Sequence, residues 1–194
     1  MTVSEYYNSV ADFWDMDYSE AEMARAIAAA VSVPRDGGGL ALDIGCGNGG
    51  MILDLLRYGA CEIEGVDISE RMVSIAQEKY SFDPRIHIEH ADFLSFEHSG
   101  YDLAVAFNSY HHFLCPKTFV KKAHSLLRED GRLTIAYGFD SQQTNKMNGE
   151  LPSGFFRPLL PAEKEAEFWS PYFQVDFICD TASIYMISGR AVQQ

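Results

Sequence analysis

Basic residues are scarce in this 194-residue sequence: 15 Lys and Arg stand against 28 Asp and Glu, a formal net charge of −13. A chain with that balance repels polyanions unless a local basic cluster overrides it, and the longest basic run is Lys121-Lys122. Nucleic acid and anionic membranes are therefore disfavoured as partners. Long apolar runs are missing as well. No uncharged stretch reaches the ~18 residues that would span a bilayer, and no cationic segment leads into an apolar one after Met1. The expectation is a soluble, cytoplasmic protein with no membrane partner. Paired cysteines are absent: positions 46, 61, 115 and 179 form no C-x-x-C, which argues against a disulfide framework or a zinc site and leaves no metal expected. There is no internal repeat, low-complexity tract or linker, and no motif that sets an oligomeric state. With 47% hydrophobic content the chain is long enough for one substantial core, so residues 1–194 are read as a single domain.

What is present is an alternation. Residues 4–33 read as two helical pieces rich in Tyr6, Tyr7, Phe13, Trp14 and Tyr18. The second is opened by Ser19 with Glu22 as a capping box and closed near Pro34 and Gly37-Gly38-Gly39. Strand-like "LALDI" (40–44), a helix at 50–57, strand "EIEGVD" (62–67) and a helix at 69–80 follow. Then come strands "IHIEH" (86–90) and "YDLAVAF" (101–107), a helix at 116–127 and strand "RLTIAYG" (132–138). Strands separated by helices connect through crossovers, which gives a doubly wound, mostly parallel α/β sheet. The tail differs, since "YFQVDFICD" and "SIYMISGRA" are separated by Thr181-Ala182 alone, and a connection that short requires an antiparallel hairpin. Residues 139–160 show no clean period and read as an irregular substrate mouth. The expected parts are an N-terminal helical preface (1–36), the alternating core (37–138), that mouth (139–160), and a C-terminal helix and hairpin (161–194).

"LDIGCGNGG" follows the first strand of the alternation. Its glycines fit two fingerprints, Gly45, Gly47 and Gly50 for a dinucleotide loop and Gly45, Gly47 and Gly49 for another, and either brings a ligand close to bare backbone. Asp67 ends the next strand, 22 residues beyond Gly45, where a carboxylate can accept both hydroxyls of a ribose. Asp43 has no use beside a diphosphate but suits a cationic amine. Asp92-Phe93 follows the third strand, where an acid can accept from an exocyclic amine and a ring can pack on a purine. Asp92 could also cap its own turn.

These segments together resemble the class I S-adenosylmethionine-dependent methyltransferases, in their small-molecule branch, over roughly residues 40–190. "LDIGCGNGG" is similar to the family's D-x-G-x-G-x-G loop, "EGVDISERMVSIAQEK" to its second strand, "HADFLSF" to its adenine segment, "YDLAVAFNSYHHF" to its fourth strand and substrate edge, and "LLREDGRLTIAY" to its fifth. The resemblance implies a seven-stranded sheet ending in the antiparallel hairpin, with S-adenosylmethionine as cofactor and S-adenosylhomocysteine as product. It implies that Gly45, Cys46 and Gly47 line the methionine end with Asp43 near its amino group. Asp67 would bind the ribose hydroxyls, Asp92 and Phe93 hold the adenine, and Asn108 offer backbone near the methionine end; Ile68 would be a further cofactor-binding residue, and Tyr7 would belong to an N-terminal helical lid (1–36) over a cofactor-binding core (37–138).

The sulfonium methyl is already activated, so the protein's main task is to align a nucleophile behind it. His111 and His112 follow the fourth strand and are the catalytic candidates, either as a base or by shaping the pocket through hydrogen bonds. The expected activity is methyl transfer to a small molecule. Methylation of a basic protein segment, a cofactor-binding module without catalysis, thiol or metalloid methylation, and a nicotinamide enzyme are the alternatives.

Overall fold

The computed structural model describes residues 1–31, 39–149, 151–152 and 154–193. A seven-stranded sheet runs through it in the spatial order β3-β2-β1-β4-β5-β7-β6. Its strands are β1 (Gly39–Ile44), β2 (Ala60–Asp67), β3 (Ile86–His90), β4 (Tyr101–Phe107), β5 (Leu127–Tyr137), β6 (Phe173–Thr181) and β7 (Ile184–Ala191). The first five pair in parallel, while β7 is antiparallel to both β5 and β6. The hairpin is therefore real, but its reversed strand is not the edge. It is inserted between β5 and β6, which leaves β6 outermost.

The central strands are apolar on both faces because both are covered. Leu42 and Ile44 of β1, with Ala104 and Ala106 of β4, join a core with Phe119, Val120 and Trp169. Ala41, Leu103 and Val105 point the other way, into a second core with Ile27, Leu55 and Tyr80. Side chains alternate across a strand, so a continuous apolar run is what a doubly covered parallel strand needs.

Helices α1 (Val3–Val10) and α2 (Tyr18–Ala30) precede the sheet; α3 (Ile52–Arg57), α4 (Glu70–Tyr80) and α5 (Pro116–Leu126) cross over between strands, and α6 (Ser141–Asn148) and α7 (Ala162–Ala166) follow β5. Two local expectations are corrected. The box that opens α2 is Asp17 with Glu20: Glu20 N–H donates to Asp17 Oδ1 at 2.9 Å and Asp17 N–H donates to Glu20 Oε2 at 3.2 Å. The overlapping Ser19/Glu22 pattern lies inside the helix, and Glu22 instead pairs with Arg25 at 2.7 Å. Residues 139–160 are not irregular throughout, since α6 forms there, capped by Asp140. The Asn145 side chain then clamps both backbone groups of Leu159, accepting from its N–H at 2.7 Å and donating to its carbonyl at 2.9 Å. The expected close of α2 at Pro34, Gly37 and Gly38 lies outside the described residues.

In such a sheet ligands bind beyond the carboxyl ends of the strands, where the order reverses. Here the chain winds outward from β1 to β3 and then returns to place β4 beside β1. The crevice between the ends of β1 and β4 is that point.

Candidate functional site

A cavity of about 560 Å³ opens at this crevice. The glycine loop forms its floor. Gly45 takes φ +70°, and a Cβ there would lie 2.5 Å from the Ser109 Cβ, so glycine is required on both counts. The loop is tied to β2, because Gly45 and Cys46 N–H both donate to the Val66 carbonyl, at 2.8 and 3.1 Å. Ser109, just past β4, donates to the Ile44 carbonyl at 2.6 Å and holds the two strand ends together. Asn108 bends the chain there with φ +53°.

Asp67 accepts from Gly47 N–H with one oxygen and from Ser69 N–H with the other, each at 2.8 Å. A carboxylate oxygen has two lone pairs, so both keep acceptor capacity for a diol. Burial raises its pKa, against the opposing pull of those backbone donors. Asp43 is buried, and its Oδ2 has no partner among the described residues. Burial, then the nearby Asp67, push its pKa up to about 7. An uncompensated buried carboxylate on a cavity wall is a site prepared for a cation.

Asp92 lines the cavity and uses Oδ1 to accept from Leu94 N–H at 2.9 Å, so it caps its turn with one oxygen and keeps the other. Phe93 is buried, its ring centre 5.5 Å from that of Phe113.

The roof is the N-terminal segment. Ser4 donates to the Ile68 carbonyl at 2.9 Å, Asn8 Oδ1 accepts from Ser69 Oγ at 2.7 Å, and Arg71 pairs with Asp12 at 2.5 Å, which docks α1 on the start of α4. Tyr7, Trp14 and Glu20 thereby reach the cavity wall. The Tyr7 and Trp14 rings meet edge to face, with centroids 5.4 Å apart.

The adjacent histidines have different fates. His112 lines the cavity; its Nδ1 lies 2.7 Å from the Phe155 carbonyl, which can only accept. The proton is therefore on Nδ1, and Nε2 accepts the Tyr7 hydroxyl at 2.7 Å. Burial lowers the His112 pKa, opposed by its bond to that carbonyl. His111 is buried on the other side of the turn, 3.1 Å from the Tyr137 hydroxyl, and does not reach the cavity wall. Its Nε2 has no partner among the described residues, and burial lowers its pKa strongly.

All ten residues proposed from sequence for the cofactor, Tyr7, Asp43, Gly45, Cys46, Gly47, Asp67, Ile68, Asp92, Phe93 and Asn108, share this one wall, joined by His112. No described residue of 139–160 lines it; that segment touches the site through the Phe155 carbonyl on His112. Sequence reasoning missed Glu20 and Ser109. The Asp17/Glu20 spacing was a usable signal for the first, and nothing local marks the second. Away from the cavity, Glu64, Glu89 and His98 bring carboxylate oxygens and a ring nitrogen within 4.8 Å of one another, and His98 is held by Glu64 at 2.7 Å.

Residues 41–131 match a sequence family described as a methyltransferase domain. The 27-O-demethylrifamycin SV methyltransferase of Amycolatopsis mediterranei is 30% identical over 131 residues, 63% of this chain and 48% of that protein. The sterol 4-C-methyltransferase strm-1 of Caenorhabditis elegans is 32% identical over 138 residues, 65% of this chain and 41% of its own length. This chain thus spans less than half of either curated relative. Among solved structures, the N-methyltransferase NodS from Bradyrhizobium japonicum WM9, in complex with S-adenosylhomocysteine, superposes with TM-score 0.77 at 15% identity and full coverage of both chains. Magnesium protoporphyrin IX methyltransferase from Synechocystis PCC 6803, also with that product bound, gives TM-score 0.72 at 19% identity, covering 97% of this chain and 98% of that one.

Proposed function

We propose that this chain is a class I S-adenosylmethionine-dependent methyltransferase, a reading supported by the family match, the relatives and the fold, and that it transfers the sulfonium methyl group in line to a nucleophilic atom of a small molecule. When bound, S-adenosylmethionine supplies an activated methyl carbon whose leaving group is a neutral thioether. One observation carries the reading: the buried Asp43 oxygen without a partner, beside the glycine loop. A diphosphate brought to that loop would face an uncompensated carboxylate, whereas an ammonium would neutralise it.

The remaining residues fit the same ligand. Asp67 suits the ribose diol, with Ile68 beside it. Asp92 and Phe93 suit an aminopurine, and Gly45, Cys46, Gly47 and Asn108 offer backbone at the methionine end. Tyr7 closes the lid over this wall and excludes water. His112, with both ring nitrogens engaged, ties the lid to the Phe155 backbone and shapes the acceptor end. The buried His111 braces the turn through Tyr137, whose hydroxyl accepts its backbone N–H at 2.7 Å.

A cavity roofed by the N-terminal segment suits a small acceptor, and two of the curated relatives are named for 27-O-demethylrifamycin SV and for a sterol. The second reading, methylation of a basic protein segment, is favoured by the net charge of −13.

Calorimetric titration with S-adenosylmethionine and with NADH tests the assignment, the first binding and the second not. Tight NADH binding without S-adenosylmethionine binding would sink it. Mass spectrometry of small molecules and of Lys- and Arg-rich peptides incubated with protein and cofactor then separates the acceptor classes. Cofactor binding with no transfer to either set would leave a binding module.

A further inference from the structure

We infer that the methyl acceptor is an amine, received under the lid between the Glu20 carboxylate and the rings of Tyr7 and Trp14. The inference rests on the methyltransferase reading and names the substrate class of that site.

Charge is the first ground. Asp43, Asp67, Asp92 and Glu20 line one cavity, and the described residues of its wall include no Lys or Arg. A carboxylate or phosphate acceptor would lose its water beside these carboxylates with no Lys or Arg among the described residues of the wall to replace it. Three of the four acids have a task toward the cofactor, and Glu20 does not. It reaches the wall from α2, with Oε1 3.5 Å from the Asn108 side-chain nitrogen at the end of β4 and Oε2 on the Asp17 N–H. The rings of Tyr7 and Trp14 line the same lid, and aromatic faces attract cations.

The second ground is the fate of the proton. An alcohol must give up a proton as it is methylated, and neither histidine is free to take it: His111 is off the wall, both His112 nitrogens are engaged, and the carboxylates on the described wall are weak bases. The Tyr7 hydroxyl is kept protonated by burial and by the neighbouring Tyr6 and Asp67. An amine needs no base beyond water, because a small fraction of its ammonium form loses a proton to solvent near neutral pH; a phenol can do the same, but its phenolate then meets the like charges. The ammonium is held by Glu20 and releases its proton to solvent at the mouth, where Trp14 is 43% exposed. The neutral nitrogen's lone pair then forms the new N–C bond, the electron pair of the broken C–S bond stays on sulfur, and the product leaves as an ammonium that keeps its own protons. A thiolate would also need no base, but as an anion it meets the like charges.

The test uses a matched pair of probes, phenethylamine and hydrocinnamate, which share an aromatic ring and a short chain and differ in the sign of their charge. Binding of S-adenosylhomocysteine is measured first; its failure would count against the methyltransferase reading itself. On the protein saturated with S-adenosylhomocysteine, the amine should bind at least about tenfold more tightly than the acid. Glu20→Gln should cut that preference to about threefold or less while S-adenosylhomocysteine affinity and the thermal midpoint stay close to those of the parent. Equal or tighter binding of the acid, failure of both probes to bind at millimolar concentration, or an unchanged preference in Glu20→Gln overturns the inference.

Discussion

Asp43, buried with one oxygen unpartnered among the described residues, is the residue on which the proposed function leans most, and its titration gives a signed expectation. Folded, it holds its proton up to about pH 7; unfolded, it loses it near the ordinary carboxylate value of 3.8. Between those limits the unfolded chain binds fewer protons than the folded one, so the stability of the free protein falls as pH rises from about 4 to about 7. A ligand ammonium needs the ionised form, so S-adenosylmethionine should bind progressively less tightly as pH drops below about 7. Asp43→Asn should flatten both trends and weaken binding, as read by urea midpoints and calorimetry across that range. At Asp67, loss of charge-assisted bonds to the ribose predicts about 1.5 to 3 kcal/mol weaker cofactor binding in Asp67→Ala. Unchanged affinity there would mean that the ribose is held elsewhere. For His112→Ala, release of the lid from Phe155 predicts a raised KM for the acceptor with kcat largely kept, and His111→Ala should act mainly on stability. A large fall in kcat at constant cofactor affinity in either variant would restore the base.

At the scale of elements, helix ends decide where the site's side chains stand. The Asp17 cap fixes the start of α2 and, through its reciprocal bond, the Glu20 carboxylate on the cavity wall. Asp17→Ala should cost about 1 kcal/mol in chemical denaturation. It should also make the segment before α2 exchange its amide hydrogens faster, while exchange in the β1, β4 and β5 strands stays unchanged. The strands were legible because their apolar runs and the crossover helices between them are local patterns. The start of α2 was not, because Asp17-x-x-Glu20 and Ser19-x-x-Glu22 both satisfy the capping rule, and only packing chooses between two overlapping boxes. The helix α6 escaped for a related reason: it is short and polar, and is fixed by Asp140 and by Asn145 gripping Leu159 rather than by an apolar stripe.

Across the whole molecule, one buried ion pair joins the parts behind the site. Glu165 of α7 is fully buried; it pairs with Arg157 at 2.7 Å, accepts the Tyr110 hydroxyl at 2.7 Å and takes the Leu160 N–H at 3.3 Å. The turn that carries both histidines, the segment after α6 and the C-terminal helix thus share one set of bonds. Glu165→Ala would leave the Arg157 charge half-buried without its partner, a change that costs about 3 to 5 kcal/mol, and the urea midpoint should fall accordingly. The sequence could suggest neither partner, since nothing local relates residues 110, 157 and 165.

The same division holds for the protein as a whole. By itself the sequence determined the parallel α/β alternation, the glycine loop that a side chain would block, and the three carboxylates at successive strand ends, because each follows from a local period, a backbone requirement or a short spacing. Tertiary structure decided that β7 lies between β5 and β6, that His112 faces the cavity while His111 is buried behind it, and that Glu20 joins the cavity wall. Those outcomes depend on which distant elements pack together: neighbouring residues of one short turn are sent to opposite sides by a tyrosine on β5 and a carbonyl after α6.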